Sequence, residues 1–281
     1  MTTKSFKMRY ASHLGFLSRD KPLFLETLGT TDPVVHIEYA ADQGFAGMED
    51  NLLARRDKAE QDRIGEALAR HGLEMGCFVA SVNPAKKSWV TYDEADIAEI
   101  DSEIADAIDT AKRVNGRYLV VAPAGDPAIP YSFQIAATVR HLRRLAEPCE
   151  RAGVMLCLEQ INQFGLPGML LQHIADAYAV TKAVASPSVK LLFDFTHVQI
   201  MDGNLVANFA RCLDEIAILQ VADIPRRREL GLGEVHWPNV LRAVRDAGYQ
   251  GLIEYEVVPS QPGEAGEQAA LEALRQVDAA I

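Results

Sequence analysis

Cysteine is scarce in this chain: Cys77, Cys149, Cys157 and Cys212 are the four among 281 residues. They form neither a CxxC pair nor a zinc-ribbon spacing, so a zinc ribbon is excluded, a disulfide framework is a poor expectation, and a reducing compartment, the cytoplasm, follows. Positive charge is in deficit. Lys+Arg 28 against Asp+Glu 39 leaves a net charge of -11, and such a surface repels phosphate backbones and anionic lipid, so neither nucleic acid nor a membrane is expected as a partner. No apolar run reaches membrane-spanning length, and the stretch from Met1 to Tyr10 carries Lys4, Lys7 and Arg9 but no apolar signal-peptide core. A G-x-S-x-G elbow, a cysteine with a nearby His partner and a G-x-G-x-x-G after the first strand are all missing. Serine-hydrolase, thiol and dinucleotide readings therefore find little support.

What is present is ample core material, 48% hydrophobic against 24% charged, which argues for a globular chain rather than disorder. Short β-branched or Leu-rich runs alternate with longer stretches of helical periodicity, at a spacing of about 35 residues that suits a parallel β/α unit. Strands are expected to end at Ser12, Glu49, Val79, Val121, Glu159, Asp194, Val221 and Glu256, with helices over roughly 32–43, 58–71, 93–114, 132–152, 172–184, 205–212, 238–247 and 266–280. In the fourth helix Ile135, Val139, Leu142, Ala146 and Cys149 step by three or four and form the expected buried face, leaving Arg140, Arg143, Arg144 and Glu147 outside. Pro238 stands at an expected first helical position, and Gly248 where a left-handed C-terminal cap is wanted. Eight such pairs without a Ser/Pro-rich linker predict a single α/β domain, residues 1–281, folded as a (β/α)8 TIM barrel. An open doubly wound sheet is the alternative, because closure is not written in local pattern.

Parallel barrels carry their chemistry at the C-terminal ends of strands. Here the apolar runs finish on acids or amides: Met155 to Glu159, Lys190 to Asp194, Ile218 to Gln220, and Leu252 to Glu256. Any one of these residues could equally begin an exposed loop or cap a helix. Four on successive strands change the weighing, since carboxylates buried together need a cation, and all-oxygen donors suit a hard divalent ion. Glu159, Asp194, Gln220 and Glu256 are therefore the candidate ligands. Glu254 alternates to the same side as Glu256, but Glu256 lies nearer the open end. Glu49 closes the second strand and is a candidate substrate contact, although Asp50 and Asn51 behind it also fit a plain polar loop.

Two local motifs, Glu159-Gln160-Ile161-Asn162 and Asp194-Phe195-Thr196-His197, place a polar group three residues beyond a proposed ligand, at the start of a loop. There Asn162 can orient the ligand or meet a substrate oxygen, and His197 can hydrogen-bond a substrate hydroxyl. After the seventh strand, Arg226, Arg227 and Arg228 stand together on an otherwise acidic chain. Arg227 is the candidate clamp for a substrate carboxylate, against the plainer reading of a solvated turn paired with Glu229 and Glu234.

With these residues the chain resembles the xylose isomerase-like barrel superfamily and, within it, the hydroxypyruvate isomerases. The carrying segments are Cys157 to Asn162, Phe193 to Gln199, Leu219 to Asp223, and Gly231 to Glu234 leading to 248–251 and Glu256. The resemblance implies that Glu159, Asp194, Gln220 and Glu256 hold the metal, with Glu159 and Glu256 also the acid/base pair. Related ketose epimerases usually have His where this chain has Gln220. Departures are Gln160 in place of the usual Pro, Thr196 in place of a Tyr, and the arginines at 226 and 228.

The implied activity is interconversion of hydroxypyruvate and tartronate semialdehyde, or of a related small hydroxy-oxo acid, by proton transfer through an enediolate with one divalent ion, Mg²⁺ or Mn²⁺. A ketose 3-epimerase or other sugar isomerase, an endonuclease IV-like nuclease and a non-catalytic binding barrel stay open as alternatives. A homo-oligomer is left open as well.

Overall fold

A computed structural model describes residues 5–80 and 87–281; of the N-terminal stretch read above, residues 1–4 lie outside it. Nine strands follow one another: β1 Tyr10–His13, β2 Gly47–Glu49, β3 Glu74–Met75, β4 Cys77–Val79, β5 Tyr118–Val121, β6 Met155–Glu159, β7 Val189–Asp194, β8 Ile216–Val221 and β9 Ile253–Tyr255. The expected third strand is interrupted at Gly76. A Cβ on that residue would stand 2.2 Å from Glu254 Oε1 and 3.1 Å from the Met48 carbonyl, so the glycine makes room for a buried acid.

Two compact units are distinguished, Met1–Gly76 with Leu219–Ile281, and Cys77–Ile218. In the first the strand order is β3-β2-β1-β9-β8, and in the second it is β7-β6-β5-β4. Parallel ladders join β1 to β2 and to β9, and β9 to β8, in the first unit, and β4 to β5, β5 to β6 and β6 to β7 in the second. Strands buried on both faces read as continuous apolar runs, and Leu156, Cys157 and Leu158 of β6 are fully buried.

The expected helices appear as Pro33–Gln43, Lys58–His71, Glu94–Val114, Tyr131–Ala152, Ile174–Val184, Leu205–Cys212, Trp237–Asp246 and Gly263–Ala279. Aspartates start several of them: Asp32, Asp57 and Asp93 accept from the amides of Val34, Glu60 and Asp96. Pro238 sits in the first turn of its helix and Gly248 has φ 77°. All four cysteines are buried and unbridged, and no described helix is long and apolar enough to cross a membrane.

Beyond the split third strand, a last strand that ends at Tyr255 and a last helix that begins at Gly263, three expectations change. The fourth helix buries Gln134, Thr138, His141, Leu142, Leu145 and Cys149, while Ile135, Val139 and Ala146 are half-buried. Its stripe is turned because polar side chains find carbonyl partners inside: Thr138 Oγ1 donates to Trp89 O at 3.1 Å, and His141 Nε2 lies 2.8 Å from Thr91 O. The helix expected from residue 172 starts at Ile174, whose amide is held by Asp202 Oδ2 at 2.9 Å. The segment after Asp194 is a helix, Phe195–Met201, where a loop was expected, because Asp194 Oδ1 accepts from the Thr196 amide at 2.7 Å and caps it.

Gly153 closes the helix Tyr131–Ala152 at φ 73°, with nothing within 4 Å of where a Cβ would be. Replacing it therefore tests backbone conformation alone. The left-handed penalty for an L side chain exceeds the unfolded-state gain of losing a glycine, so Gly153→Ala should lower stability by about 1 kcal/mol. An unchanged denaturation midpoint at equal m-value would contradict this account of the cap.

Candidate active site

In the first unit, register decides which strand-end acids share a level. Ala11 pairs with both Gly47 and Glu254, so Glu256, two residues further on, stands level with His13 and Glu49. Glu49 and Glu254 are fully buried and Glu256 is 2% exposed. Each finds a different answer to that burial. Glu256 takes a hydrogen bond from Asn51 Nδ2 at 2.8 Å and pairs with Arg227 Nη1. Glu254 Oε2 accepts from Gln220 Nε2 at 3.1 Å. Neither Glu49 oxygen has a hydrogen-bond donor among the described residues. Burial first, and then the carboxylates of Glu256 and Glu254, hold its carboxyl well above the usual range, with Arg227 pulling the other way.

The loop after β8 shows which arginine serves this cluster. Asp223, fully buried, gathers the loop by accepting from four amides, those of Ile224 and Val235 at Oδ1 and of Gly231 and Gly233 at Oδ2, at 2.8 to 3.4 Å. Arg226 is exposed, Arg228 donates to the carbonyls of Val258 and Pro259, and Arg227 turns onto Glu256. Glu229 is not paired with the arginines as the plainer reading had it; it accepts from the Ser260 amide at 2.9 Å and from the Ser260 hydroxyl.

In the second unit, Glu159 ends β6 and Asp194 ends β7. His197, in the first turn of the capped helix, brings Nε2 to 3.5 Å from Glu159 Oε1 and 3.4 Å from Asp194 Oδ2. One candidate ligand atom from each of these residues lies within 4.8 Å of the others. Asn162 Nδ2 lies 2.6 Å from His197 Nδ1. Gln160 is 2% exposed and its amide nitrogen donates to Gln172 O at 2.7 Å.

Sequence reasoning missed two supports. Asn51 stands in a segment that also fits a plain polar loop, and only the pairing of β2 with β1 and of β1 with β9 brings it to Glu256. Glu254 stood behind Glu256 in preference, yet it holds the Gln220 amide. That contact leaves Gln220 to offer a cation its carbonyl oxygen. Buried carboxylates, one of them with no donor, and an amide oxygen are a donor set that fits a hard divalent cation.

Residues 37–277 match the model of the family described as xylose isomerase-like TIM barrel. The chain belongs to that family. It is a (β/α)8 barrel and an enzyme of the isomerase class. It is 31% identical over 241 residues to hydroxypyruvate isomerase of Escherichia coli (strain K12), covering 85% of this chain and 92% of that one. It is 26% identical over 264 residues to 2-oxo-tetronate isomerase of Pectobacterium atrosepticum, covering 92% and 95%. A solved structure described as AP endonuclease, family 2, from Brucella melitensis superposes with a TM-score of 0.78 at 22% identity, over 92% of this chain and 96% of that one. That likeness shows the fold alone.

His13, at the level of Glu49, offers a pH test of the packing. Its Nε2 meets Val257 O at 3.0 Å and its Nδ1 accepts from the Gly15 amide at 3.2 Å, which requires a neutral ring. Burial pushes its pKa down to about 4, opposed in part by the Val257 carbonyl. The unfolded chain takes up this proton near pH 6.5, so the His13 contribution to stability is complete above that pH and is lost progressively as pH falls towards 4. The loss amounts to about 3 kcal/mol at the acid end. Urea titrations from pH 7 to 4 should show this fall shrinking in His13→Gln; the same acid dependence in both proteins would refute it.

Proposed function

We propose that this protein is a metal-dependent isomerase of small hydroxy-oxo acids, interconverting hydroxypyruvate and tartronate semialdehyde. The observation that carries the reading is Arg227 turned onto buried strand-end acids, a cation able to meet an anionic substrate beside groups able to move its protons. Two relatives matched over most of the chain carry the names hydroxypyruvate isomerase and 2-oxo-tetronate isomerase, and both names denote small hydroxy-oxo acid substrates. The reading includes a single domain over residues 1–281, supported by one family model running through both units. A cytoplasmic setting also belongs to it, supported by the four buried, unbridged cysteines.

Under this reading Glu159, Asp194, Gln220 and Glu256 would hold one divalent ion, Mg²⁺ or Mn²⁺, which when bound supplies Lewis-acid stabilisation to the charge of an enediolate. The chain's own groups do the rest. One of Glu159 and Glu256 removes the proton beside the substrate carbonyl and the other delivers a proton to the neighbouring carbon. His197 donates to a substrate oxygen, and Asn162 keeps its place beside His197. Glu49, sealed against Glu256, is assigned a substrate contact. Arg227 binds the substrate carboxylate through its planar fork.

Exhaustive chelation should abolish turnover of hydroxypyruvate, and add-back of Mg²⁺ or Mn²⁺ should restore it. Full turnover by protein shown to be metal-free would end the metal reading. The clamp is tested separately. Losing one arginine-carboxylate contact of about 1.5 to 3 kcal/mol, Arg227→Ala should reduce kcat/KM for hydroxypyruvate roughly ten- to a hundred-fold beyond whatever a neutral ketose loses, since both substrates share the loss of the Glu256 partner. Equal losses on both substrates would make the loop a structural element, and a wild-type preference for neutral ketoses would replace the acid by a sugar.

A further inference from the structure

The hydrogen bonds around Asn162 decide which nitrogen of His197 carries a proton. Asn162 Oδ1 accepts from the amides of Phe164 at 3.1 Å and Gly165 at 2.6 Å, in a tight turn that the Leu166 amide closes on the Asn162 carbonyl at 3.2 Å. Two backbone donors on one side-chain atom identify that atom as oxygen, so the other end of the amide is the NH₂ group. That NH₂ lies 2.6 Å from His197 Nδ1, and the Asn162 amide points at the same nitrogen from 3.4 Å. A nitrogen at which two donors point accepts, and a neutral imidazole that accepts at Nδ1 carries its proton at Nε2.

We propose that Asn162 is a positioning residue which locks His197 as the Nε2–H tautomer, so that His197 faces Glu159 and Asp194 as a hydrogen-bond donor and not as a metal ligand. By distance alone His197, Glu159 and Asp194 could hold an ion as a trio. A ligating histidine, however, gives its lone pair to the metal and donates its other N–H to an acceptor. Here the other nitrogen meets donors, the reverse of that arrangement. An N–H aimed between two acids can instead pass to a substrate oxygen when one arrives. This catalytic use rests on the isomerase reading; the tautomer does not.

The turn leaves no slack around the Asn162 amide. A Cβ on Gly165 would stand 3.0 Å from Asn162 Nδ2 and 3.3 Å from its Oδ1, so a single methyl there presses on the side-chain amide while removing none of its partners. Asn162→Asp leaves the turn its acceptor and replaces the NH₂ by a second acceptor facing Nδ1.

The test reads the tautomer directly, by long-range ¹H–¹⁵N spectra of the full-length, metal-free protein with labelled histidine at neutral pH, the His197 signals being identified by their loss in His197→Gln. Wild type should show a protonated nitrogen at Nε2 and a bare one at Nδ1. In Asn162→Asp the proton should move to Nδ1 or occupy both nitrogens, and Gly165→Ala should broaden or shift the Nδ1 signal while the other histidines keep theirs. A bare Nε2 in wild type overturns the proposal, and so does an Asn162→Asp spectrum with the wild-type proton pattern. If Asn162→Asp does not fold, wild type and Gly165→Ala decide alone, and an unmoved Nδ1 signal in Gly165→Ala counts against the lock. With hydroxypyruvate as substrate, Asn162→Asp should lose about 10- to 100-fold in kcat/KM. A wild-type protein with the expected tautomer and no turnover would fail the isomerase reading and leave the tautomer standing.

Discussion

Carboxylates buried side by side are the constraint around which this molecule is arranged. Two like charges a few ångströms apart in a low-dielectric interior repel far more strongly than in water, and each also forfeits its hydration. Glu49, Glu254 and Glu256 meet that cost with different means: a carboxyl pKa held well above the usual range on the first, an amide on the second, and an amide with a guanidinium on the third. The glycine at 76 belongs to the same arrangement, since the volume it leaves empty is occupied by a Glu254 oxygen. Removing any one partner strands a charge, so these neighbours are tied to one another through the acids they serve.

The alternation of apolar runs with helical stretches was legible because each element obeys a local rule. The helix Lys58–His71 is bounded as expected since Asp57 caps it and Gly72 ends it, both within the sequence window that predicts them. The acids at the ends of β2, β6 and β7 were legible for the same reason: a strand that stops on a carboxylate shows it in the letters. What escaped was non-local. Asn51 matters through a partner 205 residues away, and Glu254 through one 34 residues away. The helix Phe195–Met201 escaped by a different route, because Asp194 had been given a single role. Its Oδ1 caps a helix while its Oδ2 faces His197, so one carboxylate fills two roles that a strand-end acid in the sequence does not separate. The turned face of Tyr131–Ala152 escaped because a stripe drawn through apolar residues leaves out Thr138 and His141, whereas carbonyls of the 89–91 segment receive them inside.

Backbone amides recur as the agents that orient the side chains of both units. Thr196 N holds Asp194, Phe164 N and Gly165 N hold Asn162, and four amides hold Asp223. A side chain fixed by main chain is insensitive to most substitutions around it, because every residue except proline supplies the same N–H.

The Asp223 loop shows where that leads. Its course is anchored by one carboxylate and by peptide groups at 224, 231, 233 and 235, and Arg228 adds two bonds to the carbonyls of Val258 and Pro259. The loop is thus a fixed mount on which one of three arginines is an exchangeable fitting. The exposed side chain of Arg226 can change without touching these anchors, whereas a change at 227 takes a partner from Glu256 and a change at 228 removes two ties to the 258–259 segment. A single buried aspartate thus sets the path of the loop, and the arginine beside the acid cluster is bound to change only together with the acid it meets.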